Sequence, residues 1–337
     1  MKKSTALLLA ALLLLSGCAR KAAGWERFSR TYYDAFDTVI TLTCLAENET
    51  EFKEAAEAFE AELFRLDAIF DLYEAHEGTA GLWALNHAEG EWLKVEPELY
   101  DLLAQCLSWR SVSDRVNVAM GGVLALWHDF REEGKALPPT EALELAAEHA
   151  DPDRIELDPE GRRVRLNDAA LRLDLGAVAK GWSVERLAEL LEARKVDFLI
   201  DAGGNVRAGS RAHDGKDAWR IGVTDPQDPE GLICVLALAE MSAVTSGGYQ
   251  RYYEVDGVRY HHLIDPDTLM PANFVLQTTI LTRDSALADF LSTAAFLLPY
   301  AESRALIEGL EGVEAVWVLN DGSLEMTDGA RAFVEQK

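Results

Sequence analysis

Apolar residues recur every three or four positions from Glu51 to Phe70, at Phe52, Ala55, Phe59, Leu63, Leu66 and Ile69. That spacing predicts an amphipathic helix with one buried stripe. Leu99 to Val112, Val118 to Phe130, Thr140 to His149 and Ser183 to Arg194 also read as helices, and Ser285 to Leu298 carries a dense apolar face. Between them lie shorter β-prone runs. Thr31 to Cys44 alternates polar and apolar residues, and Asp37 to Leu42 reads as a strand. Arg163 to Leu175 holds two strand-like runs, and Phe198-Leu199-Ile200 reads as a buried strand. Further strands are predicted at Trp219 to Val223, Cys234 to Leu238, Ala243-Val244 and Leu276 to Leu281. Tyr252 to His261 reads as a hairpin around Asp256-Gly257, and Ala315 to Met326 as another around Asn320-Asp321-Gly322. Helices inserted between runs of strands predict an α+β fold.

The first residues break this pattern. Lys2 and Lys3 precede an apolar run, Ala6 to Leu15, that is short for a permanent membrane span. It ends in Leu15-Ser16-Gly17-Cys18, which resembles the bacterial lipobox, where the cysteine is lipidated and becomes the first mature residue. The expectation is a lipoprotein signal peptide over 1–17, a tether over 18–28 and one domain over 29–335. Such a chain is exported and lipid-anchored through Cys18, outside the cytoplasmic membrane or in the periplasm. Roughly 320 residues would remain, enough for a sizeable core.

Formal charge is −26 over 337 residues. Such a surface repels nucleic acid, which argues against it as a partner. It also repels anionic substrates, so a phosphate site here needs local cations or a metal. Cys44, Cys106 and Cys234 are odd in number, sit in apolar stretches and lack metal-ligand spacing. They read as buried thiols rather than a disulfide framework.

Five segments carry candidate chemistry. Leu173 to Gly181, LDLGAVAKG, places an acid, two glycines and Lys180 just before a helix. Small residues let the backbone approach a ligand, while the helix start and Lys180 favour negative charge. Asp201-Ala202-Gly203-Gly204-Asn205 is either a close-approach loop or a simple turn. Thr245-Ser246-Gly247-Gly248-Tyr249 offers hydroxyls and amides to phosphate oxygens, and also suits a turn. In His261-His262-Leu263-Ile264-Asp265-Pro266, a histidine three residues before an aspartate could be a base steadied by a carboxylate. Adjacent histidines on a strand face opposite ways, so one of them would face a site. Asp289 and Thr293 lie at i and i+4 on a predicted helix and could share one Mg²⁺.

Taken together and in this order, the segments resemble the ApbE family, the FAD:protein FMN transferases. The family pattern contains an LDLGG-like turn with AKG, a GGN turn, TSG-x-Y-x-R, H-x-I-D-P-x-T and D-x-x-S-T. These match Leu173 to Gly181, Gly203 to Asn205, Thr245 to Arg251, His262 to Thr268 and Asp289 to Thr293. Phe36-Asp37-Thr38 resembles the family's M-G-T strand start, and Asn117 to Trp127 the segment after its G-A-F. The resemblance covers roughly residues 30 to 330.

The resemblance implies a two-lobed α+β architecture of mixed sheet and helix, related to the T-fold. It implies Mg²⁺-dependent transfer of FMN from FAD to a Thr or Ser hydroxyl of an acceptor flavoprotein, with release of AMP. Asp174 and Lys180 would contact FAD, with Phe36, Thr245, Ser246, Gly247 and Leu263 along the cofactor. The carbonyl of Ala177 with Asp289 and Thr293 would hold Mg²⁺, and Ser292 is a further candidate ligand. His262 would be the base, with Asp265 orienting its ring and a rate rising with pH through a histidine value near 6.5. A membrane redox-pump subunit is one candidate acceptor. Three departures stand out. Phe36-Asp37 replaces Met-Gly, Asp114-Arg115 stands where Gly-Ala is expected, and Leu269 replaces the glycine usual after D-P-x-T. An Mg²⁺-dependent FAD pyrophosphatase or a non-catalytic flavin-binding lipoprotein would use the same pocket.

Overall fold

The computed structural model describes residues 24–134, 136–210 and 218–335. Cys18 and the expected signal peptide lie outside the described residues. The chain opens with β1 (Glu26–Ala35), β2 (Thr38–Ala46), α1 (Glu49–Phe70), α2 (Leu82–Asn86) and β3 (Leu93–Lys94). Next come α3 (Pro97–Trp109), α4 (Gly121–Glu133), α5 (Thr140–Ala147), β4 (Ile155–Asp158) and β5 (Arg163–Leu166). The middle holds α6 (Ala179–Ala193), β6 (Asp197–Ala202), β7 (Asn205–Ala208), β8 (Trp219–Asp225) and β9 (Asp228–Leu238). The rest is β10 (Met241–Gly247), β11 (Tyr252–Val255), β12 (Val258–His261), β13 (Gln277–Thr282), α7 (Ser285–Phe296), α8 (Tyr300–Glu308), β14 (Glu314–Val318) and β15 (Leu324–Met326).

Eight strands form the main sheet in the order β1-β2-β6-β7-β10-β13-β14-β15, every neighbouring pair antiparallel. The two-residue strand period divides its side chains between two cores. Val244, Ile280, Ala315 and Trp317 join the cluster beneath α1, α6 and α7. Ala243, Leu281 and Val316 point the other way, into a cluster covered by the β8–β9 ribbon. A third cluster joins α4 and α5 to the β11–β12 hairpin through Trp127, Leu143, Tyr253 and Ile264. Among the described residues, no helix is long and apolar enough to cross a membrane.

Three local expectations need correction. Glu26, Arg27 and Phe28 were expected in the tether, yet they pair with Ala46, Leu45 and Cys44 as the start of the edge strand β1. The second strand-like run before Leu175 is reduced to one bridge, Met120 with Arg172, because the chain turns there toward α6. The helix expected from Val118 starts at Gly121, because Asn117 Oδ1 accepts the Ala119 N–H and holds a turn first. All three cysteines are free and buried, and burial pushes the Cys44 and Cys106 thiols up to about 12.

Candidate active site

The β1–β2 turn, the β6–β7 turn and the end of β10 lie at one end of the main sheet, where they meet the starts of α4 and α6. Between them is a cleft of about 780 Å³, within the range of about 300–1,000 Å³ usual for small-molecule sites. Its walls include Arg115, Arg131, Lys180, Arg251 and His262. They stand among six aspartates, Asp34, Asp37, Asp67, Asp71, Asp174 and Asp289, so the lining mixes both signs.

The start of α6 and the middle of α7 touch at the floor. A Cβ on Gly181 would lie 2.3 Å from the Asp289 Cβ and 2.4 Å from the Ser285 carbonyl oxygen. This glycine therefore serves contact between helices, and brings the Lys180 turn against α7. The Gly181 N–H donates to Asp289 Oδ2 at 2.7 Å. Glu185 on α6 accepts the first N–H of α7, from Ser285, at 2.8 Å. Burial pushes the Asp289 carboxyl up to about 6, and the Lys180 cation opposes that rise. Burial likewise lowers Lys180, with Asp289 opposing.

Asp289 and Thr293 both line the cleft, with Ala177 from the turn before α6. Carboxylate, hydroxyl and carbonyl are hard oxygen donors suited to Mg²⁺. No cluster of three or more His, Cys, Asp or Glu side chains that could hold a metal exists among the described residues. A cation here would therefore rest on one carboxylate, neutral oxygens and the ligand's own phosphates, which is how Mg²⁺ is usually bound. Ser292 does not fit that set. It is fully buried, lies outside the cleft lining and donates to the Asp289 carbonyl at 2.9 Å. At i+3 from Asp289 it turns into the core, and its oxygen lies 2.8 Å from Ser246 Oγ. Ser246 itself reaches the cleft and lies 3.3 Å from Thr293 Oγ1.

His262 lines the cleft while His261 is buried behind it. Both nitrogens of His261 are engaged, with Ala272 O at 2.7 Å and the Leu263 N–H at 3.2 Å. His262 Nδ1 lies 3.3 Å from the Arg251 carbonyl oxygen. A carbonyl only accepts, so Nδ1 carries the proton and Nε2 remains as the free base. Asp265 does not orient this ring. Its Oδ1 accepts the Asp267 N–H at 2.9 Å, and it lies outside the cleft lining. The chain runs extended from Leu263 to Asp265, paired with 270–272, and turns only after it, so Asp265 sits at the base of that turn and away from the ring. Burial first, then the Arg251 charge, pushes the His262 ring down to about 3. The rise with pH expected from a free ring near 6.5 is thus shifted downward by the surroundings of His262.

The remaining expected residues, Phe36, Asp174, Thr245, Gly247 and Leu263, all line the cleft. Asp174 Oδ1 accepts the Gly176 N–H at 2.7 Å, and burial raises its carboxyl. Thr245 Oγ1 lies 2.9 Å from Thr279 Oγ1. Phe36 and Asp37 form a two-residue hairpin turn, both left-handed, with φ of 52° and 50°. The Phe36 N–H donates to Asp67 Oδ1 at 2.7 Å, and Arg251 donates to the Asp37 carbonyl at 2.7 Å. Gly203 of the GGN turn has φ +58°, and a Cβ there would lie 2.0 Å from Thr38 Oγ1. Sequence reasoning gave no role to Asp67, Tyr73, His128 or Arg131, which also line the cleft. They come from the end of α1, the segment after it, and α4, where no motif marks them.

The sequence pattern of the ApbE family matches residues 36–317, more than four fifths of the chain. The chain belongs to the ApbE family. Relatives of this ApbE chain carry a consistent name. The FAD:protein FMN transferase of Treponema pallidum is 34% identical over 288 residues, covering 78% of this chain and 79% of that protein. The FAD:protein FMN transferase of Klebsiella pneumoniae is 29% identical, covering 82% and 86%. A crystal structure of the ApbE protein of Thermotoga maritima superimposes with a TM-score of 0.83 at 28% identity, covering 92% of this chain and all of that one.

Proposed function

We propose that this ApbE chain transfers FMN from FAD to a threonine or serine hydroxyl of an acceptor flavoprotein, releasing AMP. The observation that carries the reading is the gathering of Ala177, Lys180, His262, Asp289 and Thr293 around one cleft. Mg²⁺ held by the Ala177 carbonyl, Asp289 and Thr293 would supply Lewis-acid neutralisation of the diphosphate. Lys180 adds a fixed cation beside it. His262 Nε2 accepts the proton of the acceptor hydroxyl as that oxygen attacks the phosphorus on the FMN side. The phosphorus–oxygen bond to AMP breaks, and AMP leaves. The ring is neutral at pH 7, so the Nε2 lone pair is available, while its low basicity limits how far the proton transfer runs ahead of bond formation. The acceptor is a flavoprotein such as a membrane redox-pump subunit, and the enzyme acts outside the cytoplasm, lipid-anchored through Cys18.

The test is AMP release from FAD and MgCl₂, with and without an apo flavoprotein acceptor from the same organism. AMP that appears only with acceptor, with FMN bound covalently to it, supports the reading. AMP without acceptor makes the protein a pyrophosphatase, and no AMP makes it a flavin binder.

A further inference from the structure

The turn following His262 is strained. Leu269 has φ of 58°, in the left-handed region that crowds a branched L side chain. It stands where the family pattern has glycine. Such a residue persists only where its surroundings over-determine it. Backbone bonds close the turn, with Leu269 N–H to Asp265 O at 2.9 Å and Asp265 N–H to Met270 O at 2.9 Å. Two side chains then grip it from the neighbouring wall. Trp127 Nε1 on α4 donates to the Leu269 carbonyl at 2.9 Å. Arg115, in the loop before α4, donates through Nη1 to Asp267 Oδ2 at 2.6 Å and lies 3.7 Å from Asp265 Oδ1. Its Nε also donates to Asp114 Oδ1 at 3.0 Å. Asp265 accepts the Asp267 N–H, so the two carboxylates and the guanidinium act as one unit. Two departures from the family pattern, Arg115 and Leu269, thus meet on one turn.

We infer that Arg115 is a positioning residue for His262, and that it holds in place the turn which Leu269 strains. The Arg115 side chain borders the cleft but is only 18% exposed. Three carboxylates already engage its charge, which leaves it poorly placed to serve as a phosphate ligand. Its leverage reaches His262 through the short span from 263 to 265. There Ala272 N–H donates to Leu263 O at 3.0 Å, and Ile264 bridges to Pro271. The base is thus referenced to α4 through this turn. The inference rests on the transferase reading for the meaning of His262, but not for the mechanics of the turn.

The test is a double-mutant cycle of Arg115→Ala and Leu269→Gly, with two readouts. The first is FMN transfer to the same apo flavoprotein. A displaced catalytic group costs up to about a hundredfold, so Arg115→Ala should lower kcat by about ten- to a hundredfold, with KM for FAD unchanged. Leu269→Gly alone should keep the parent kcat, and the double variant should recover most of the loss. The second readout is amide hydrogen exchange across residues 263–270. Exchange should quicken in Arg115→Ala and slow again in the double variant. Asp267→Asn removes the exposed partner and should shift both readouts the same way, which covers the case where Arg115→Ala fails to fold. A raised KM with unchanged kcat, additive effects in the double variant, or unaltered exchange would each overturn the inference. A parent that transfers no FMN defeats the transferase reading instead, and exchange alone then decides the inference.

Discussion

Acid should weaken metal binding well before it unfolds the protein. Asp289 is the only carboxylate in the proposed ligand set, and burial pushes it up to about 6. Only its ionised form attracts a cation. At pH 7.5 nearly every molecule carries that form; at pH 5 about one in eleven does. The FAD diphosphate stays ionised throughout, and His262, pushed down to about 3, stays neutral. The apparent Kd for Mg²⁺ should therefore rise about tenfold from pH 7.5 to pH 5, or about 1.4 kcal/mol. The sign for stability follows. A raised carboxyl means that ionisation costs the fold, a cost absent in acid that grows as pH climbs from the ordinary 3.8 to about 6. Mg²⁺ relieves that cost, so its thermal stabilisation should be larger at pH 7.5 than at pH 5. Titration calorimetry of MgCl₂ into FAD-loaded protein from pH 5 to 8 measures the effect. An affinity flat across that range would refute the reasoning.

Three further outcomes are expected. His262→Ala should bind FAD yet lose transfer by about 10²–10⁴-fold, whereas His261→Ala should keep transfer while losing about 1–3 kcal/mol of stability from its two broken buried bonds; single-turnover transfer and denaturant melts separate them, and an inactive His261→Ala would reverse the assignment. Gly181→Ala drives a methyl into Asp289, so it should cost about 1–3 kcal/mol and weaken Mg²⁺ binding together, and calorimetry showing wild-type affinity would contradict the contact. Cys18→Ser should free the protein from the membrane fraction or stall signal processing; unchanged fractionation would remove the lipid anchor from the reading.

Strands and helices of the core were legible because each repeats at its own period. The shared face of Asp289 and Thr293 follows from that rule, and both reach the cleft. Ser292 was misread because a ligand motif does not say which side of a wholly buried helix is open. Asp265 was misread because an extended segment carries it away from His262 to the base of the next turn, where Asp267 and Arg115 engage it. The start of β1 went unseen because an exposed edge strand carries charge in place of an apolar face. Gly181 was legible as a close-approach glycine, but its partner is a helix that only the fold brings near. Arg115 and Leu269 were visible as departures, while their meeting was not. Nothing in a linear chain announces that residues 154 positions apart grip one turn.

Every residue of α7 except Leu287 is buried. The proposed ligands on it are therefore part of the hydrophobic interior, and their geometry is inherited from core packing. That ties two properties that enzymes often keep separate. A change inside this helix would loosen the fold and the grip on the cation at once, so the reaction centre has little freedom to drift. The rim is built differently, from exposed positions such as Asp37 in the β1–β2 turn and Tyr73 after α1. Variation there can alter which acceptor is admitted without disturbing the chemistry beneath, and new partner specificity has its cheapest route through that rim.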